Sequence, residues 1–166
     1  MFALSKLVWM GVLAVGLMAG TAHAQGVSAE KLEGTLTAQV VKVDPATRKE
    51  AFRPADKVVP RDVVQYSLKY RNISGTKLTK VELVIPVPPG TSYVEKSAQA
   101  VAGAALEFSI DGGREYKKPP LMIRTRTPQG ERLVPAGPEK VTHVKWTVSR
   151  LLPDERFTSS CRVTVK

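Results

Sequence analysis

Val63-Val64-Gln65-Tyr66-Ser67-Leu68-Lys69-Tyr70-Arg71-Asn72 is the stretch on which the fold turns. Val64, Tyr66, Leu68 and Tyr70 alternate with Gln65, Ser67, Lys69 and Arg71. That period of two, in β-branched and aromatic residues, is the pattern of a half-buried strand. It closes in Asn72-Ile73-Ser74-Gly75, where the Asn side chain can bond the backbone two residues on and glycine accepts positive φ. Alternation resumes with Val81, Leu83, Ile85 and Val87, and stops at Pro88-Pro89-Gly90. Pro86, Pro88 and Pro89 lack backbone donors, so this segment is expected to form a sheet edge or to leave the sheet. Such prolines also guard an edge against unwanted pairing.

The same signal spreads in both directions. Thr35 to Val43 is the first candidate strand, and Thr91 to Ala98 is a weaker one. Leu106, Phe108 and Ile110 precede Asp111-Gly112-Gly113, a hairpin signal. Leu121 to Thr127 follows, then a loop around Pro135-Ala136-Gly137-Pro138. Val144, Trp146 and Val148 define another inward face, with Trp146 as core anchor. After a turn at Pro153-Asp154-Glu155, Phe157, Ser159, Cys161, Val163 and Val165 complete the set. All 12 prolines fall between Pro45 and Pro153, which leaves little room for long helices. The expectation is an all-β chain, an immunoglobulin-like antiparallel β-sandwich of about 7–9 strands.

A different segment comes first. Residues 1–24 join Lys6, an uncharged apolar run from Leu7 to Gly20, and Ala22-His23-Ala24. These are the three parts of a secretory signal peptide. The apolar run is short of the ~20 residues that a spanning helix needs. Cleavage after Ala24 is expected, leaving a flexible segment 25–34, a sandwich domain 35–166 and no integral membrane span. The compartment implied is the periplasm or the cell surface of a bacterial-type cell.

The 166 residues carry 25 Lys+Arg against 15 Asp+Glu, a formal charge of +10. Cleavage removes Lys6 and lowers this to +9, with His143 the sole histidine and Cys161 the sole cysteine. One cysteine excludes an internal disulfide and thiolate zinc frameworks. No metal and no cofactor is expected. Hydrophobic content of 43% with 24% charged residues is that of a folded domain.

The blocks Val58 to Asn72 and Val81 to Thr91, with Val144 to Val165, resemble the secreted immunoglobulin-like conserved repeat, domain of unknown function 11. The resemblance runs from about Leu36 to Val165 in a single copy. Arg61 and Asp154 stand where that family usually has glycine. It implies a sandwich fold and a place among surface, periplasmic or extracellular proteins, and it implies no activity.

Few motifs carry chemistry. Ser109, Asp111, Gly113 and Tyr116 fit S-x-D-x-G-x-x-aromatic, similar to the Asp-box hairpin of sialidase-like propellers. Here it is expected to be a structural hairpin, with Ca²⁺ or glycan contact the alternative. His143 is expected at the surface, since no local pattern names a nucleophile or carboxylate beside it. Cys161 shares parity with Val163, so an inert core thiol is expected, against an intermolecular disulfide. Asn72-Ile73-Ser74 matches a glycosylation acceptor, expected to be silent. Lys117, Lys118, Arg124, Arg126 and Arg132, with Lys140, are candidate contacts to an anionic surface on one side of the sandwich. No aromatic side chain interleaves with them as a stacking platform, so nucleic acid is not an expected partner.

The reading that emerges is an exported, non-enzymatic envelope protein, a binding or structural module. Its partner would be an envelope protein or an anionic envelope polymer. One alternative is a subunit of a surface fibre, with Gln25 to Gly34 adding to a neighbour's sheet edge. The other is a small carbohydrate-binding protein or enzyme.

Overall fold

The all-β sandwich expected from the alternation is what the chain forms. The structure, a computed structural model, describes residues 31–128 and 130–166. The signal-peptide residues 1–24 and segment residues 25–30 lie outside the described residues. Ten strands follow in chain order: β1 (Leu32–Val43), β2 (Glu50–Pro54), β3 (Val63–Asn72), β4 (Leu78–Pro86), β5 (Thr91–Tyr93), β6 (Ala104–Ser109), β7 (Met122–Thr127), β8 (Gly130–Pro135), β9 (His143–Leu151) and β10 (Arg156–Val165). A 3-10 turn, Pro138–Lys140, precedes β9. Among the described residues no helix is long and apolar enough to cross a membrane.

Eight strands build the sandwich. One sheet has the order β2-β1-β3-β10-β5 and the other β4-β9-β6, all antiparallel. The faces that alternation marked as apolar meet between them. Leu68, Phe157 and Cys161 from the larger sheet pack with Val81, Leu83, Ile85, Val144, Trp146 and Val148 from the smaller. Trp146 is fully buried, and its indole N–H donates to the carbonyl of Gln99 at 2.8 Å. Burying a ring of that size stabilises by about 4–6 kcal/mol. Its polar atom is satisfied by the loop between β5 and β6, so the burial is not offset by an unpaired donor.

β4 lies at the edge of its sheet and ends at Pro86, in the position its prolines require. Two strands extend beyond those expected. β2 is exposed at every residue and so shows no alternation. It is brought to β1 by the intervening turn, where Asp44 Oδ1 accepts from the N–H groups of Ala46 and Thr47 and Arg48 adopts φ 53°. β8 pairs with β7 in a separate two-stranded sheet, and its Leu133 is exposed.

The first strand also starts early. β1 begins at Leu32, three residues before the expected Thr35, and Leu32, Glu33 and Gly34 pair with Asn72, Arg71 and Tyr70 of β3. Leu32 packs against the core, and a Cβ at Gly34 would run into the Tyr70 ring. An aromatic side chain therefore covers the glycine, which is how a strand retains a residue of poor strand propensity. These three residues are engaged within the domain, so the polar segment expected to be free for a neighbouring sheet is shortened.

Candidate binding surfaces

Both candidate surfaces, the Asp-box turn and the basic residues, lie at or near the three-stranded sheet and the β7–β8 hairpin. The turn is built locally. Ser109 Oγ donates to Asp111 Oδ1 at 2.6 Å and accepts from the Gly113 N–H at 2.9 Å. Asp111 Oδ1 also accepts from the N–H groups of Arg114 and Glu115, each at 3.1 Å. The Ser109 hydroxyl and these backbone donors hold the Asp111 carboxyl below the usual carboxylate range. Gly112 and Gly113 sit at φ 80° and 86°, where a side chain is strained. Phe108 and Lys117 then exchange two backbone hydrogen bonds, which closes the expected hairpin.

Tyr116 completes the turn by lying over the outer face of the smaller sheet. Its ring centroid is 4.3 Å from Lys145 Nζ. That ammonium also lies 3.1 Å from Glu107 and 3.6 Å from Glu82, and the Lys145 side chain is only 11% exposed. Glu107 stands directly across from Lys145 in the β6–β9 register. Two carboxylates and an aromatic face thus surround one cation. His143 is half-buried beside this cluster, its Nδ1 3.1 Å from Thr142 Oγ1 and its ring edge-on to Tyr116. Among the described residues no group of three His, Cys, Asp or Glu side chains is arranged to hold a metal. The cluster's geometry is that of a clamp, which fixes the turn on the sheet by charge pairing and ring contact.

The basic residues do not form one patch. In the β7–β8 register Arg132 faces Thr125, while Arg124 faces Leu133 and Arg126 faces Glu131. Directly opposed residues share a face, so Arg124 and Arg126 lie on one side of the hairpin and Arg132 on the other. The expectation of a single surface is therefore corrected. Charge is also locally balanced: Arg124 lies 3.8 Å from Glu131, and Lys117 lies 3.0 Å from Glu115. Lys118 and Lys140 are exposed.

The two remaining candidates are interior. Cys161 is fully buried, and burial pushes its thiol up to about 12. The Asn72 amide of the acceptor triplet is also fully buried and has partners on both amide atoms. Lys145, central to the clamp, was not a candidate in the sequence. Its strand parity opposite Trp146 was legible, but the two carboxylates come from other strands. The same holds for Lys69, Arg71 and Arg156, which strand pairing gathers on the larger sheet. No family model, no curated protein and no solved structure matches this chain.

Proposed function

We propose that this chain is an exported, non-enzymatic, immunoglobulin-like module of the cell envelope, with a binding or structural role. The observation that carries this reading is how the fold uses its polar side chains. Asn72, Asp111 and Lys145 each engage several partners within the domain, and each holds a turn or a strand in place. A catalytic acid, base or nucleophile needs the opposite, a group directed at a reacting atom. The leader-like pattern of residues 1–24 supports export. Kinship with the conserved repeat family is part of the proposal. Its support is that Arg61 and Asp154, standing where that family usually has glycine, adopt φ 73° and 62°, values that favour glycine.

Fractionation of the cells that make the protein, followed by cross-linking in place, tests this reading. The expected result is recovery in the envelope or medium, in cross-links to an envelope component. Recovery in the cytosol, or saturable turnover of a glycan, peptide or phosphoester abolished by one substitution, would overturn it.

A further inference from the structure

We propose that the outer face of the larger sheet carries a binding site for a phosphate-type oxyanion, formed by Lys69, Arg71 and Arg156 with the hydroxyls of Thr35 and Thr158. The inference supplies a ligand class for the exported module and rests on that reading only for where the anion is met.

The site follows from register. Glu33, Arg71 and Arg156 form one row across β1, β3 and β10, and Thr35, Lys69 and Thr158 form the next. These six residues line an open groove of about 390 Å³. Directly opposed residues on such rows stand ~5 Å apart at Cβ. Arg71 and Arg156 are therefore like charges placed face to face, an arrangement that is unfavourable without a counter-charge. Neither Lys69 nor Arg156 has an ion-pair partner among the described residues. Arg71 is anchored at one end, its Nη2 donating to Asp154 Oδ1 at 2.6 Å, while its buried Nε has no acceptor among the described residues. Glu33 is the sole acid among the described residues that line the groove, and positive charge is in excess among them.

The donor set selects the ligand. Three cationic side chains and two hydroxyls from three strands offer more donors than the two oxygens of a planar carboxylate can accept. A tetrahedral oxyanion presents three or more oxygens, and guanidinium groups bind it by paired N–H donors. The anion is inorganic phosphate or the phosphate of a larger envelope molecule, which share this chemistry.

The test is an NMR titration of ¹⁵N-labelled protein with inorganic phosphate against chloride at equal ionic strength, with sedimentation on phosphatidylglycerol vesicles as a second arm. The expected result is saturable shifts at Thr35, Lys69, Arg71 and Thr158. In a Lys69→Gln/Arg156→Gln double variant the apparent affinity falls at least tenfold, and in Arg126→Gln it is unchanged. Both replaced side chains are exposed and without an ion-pair partner among the described residues, and Arg156 faces Arg71, so a melting curve no lower than that of wild type accompanies that loss. Tighter binding to vesicles than to free phosphate assigns the anion to a headgroup, and the reverse order assigns it to the free ion. Absence of saturable shifts at these residues, or equal affinity in the double variant, overturns the site. That failure leaves the exported-module reading standing, because fractionation tests it separately.

Discussion

The side-chain amide of Asn72, at the end of one sheet, donates to the carbonyl of Leu151, at the end of the other, at 2.9 Å. Two of the chain's crossings between the sheets, β3 to β4 and β9 to β10, meet at this residue. Its Nδ2 also donates to the Thr76 carbonyl, and its Oδ1 accepts from the N–H and the hydroxyl of Ser74, so it shapes the β3–β4 turn. Its backbone accepts from the Asp154 N–H and donates to the Glu155 carbonyl, so it also docks the β9–β10 turn. All four hydrogen-bonding positions of a fully buried amide are filled.

Asn72→Ala is therefore expected to destabilise the domain by about 2–3 kcal/mol, since among the partners it leaves Leu151 is buried and Ser74 half-buried. Chemical denaturation followed by Trp fluorescence measures this. A change under about 0.5 kcal/mol would mean that the two corners are held by something else.

Gly34→Ala places a methyl group into the Tyr70 ring. The ring packs against the main core and must shift, so a loss of about 1–3 kcal/mol is expected. A Gly34→Ala/Tyr70→Ala double variant separates the clash from the lost cover. If the clash is the cause, the glycine substitution costs much less in the Tyr70→Ala background than alone.

Asp62 supplies a pH test. Its carboxyl is held below the usual range by the Lys42 ammonium first and the Val59 N–H second. A depressed folded value means that the carboxylate contributes stability above the unfolded value of about 3.9, and that this is lost as pH falls through the folded value. With Lys42 half-exposed, the contribution is about 1 kcal/mol. Asp62→Asn is expected to melt lower at pH 7, and the gap to wild type is expected to narrow below about pH 4. A gap independent of pH would deny the ion pair its role.

The Cys161 thiol is expected to be unreactive in the folded chain. A raised folded value against an unfolded one of about 8.5 keeps the thiol protonated in the core. Thiol reagent should label one group per chain promptly in denaturant and only slowly in its absence. Stability should also decline as pH rises through about 9 toward 12, and Cys161→Ala should flatten that decline. Prompt labelling of the native chain would contradict the burial.

The fold was legible where burial writes itself into the sequence. The alternation of β3, β4, β9 and β10 exists because one face of each meets the opposite sheet, and so their interior residues could be named. β2 and β8 lie outside that sandwich interior, and their register comes from turns and a single partner, so no alternation marks them. Leu32–Gly34 falls at the end of the polar segment 25–34, where no alternation marks a strand, and the Tyr70 ring that covers the glycine comes from another strand. The sites divide in the same way. Ser109–Tyr116 could be read because the bonds that shape the turn, from Ser109 and Asp111 to Gly113, Arg114 and Glu115, are local. Arg132 was grouped with Arg124 and Arg126 because proximity in sequence does not reveal which face a hairpin register assigns. Lys145 with its carboxylates, and the row of Arg71 and Arg156, depend on which strands pair, and short alternating segments do not specify their partners.

The central claim is that this sandwich works outside the cytosol after losing its leader. Intact-mass measurement of the protein recovered from the envelope or medium of cells that make it tests this most directly. The account predicts a chain beginning at Gln25. Recovery from the cytosol of a chain that still carries residues 1–24 would contradict it.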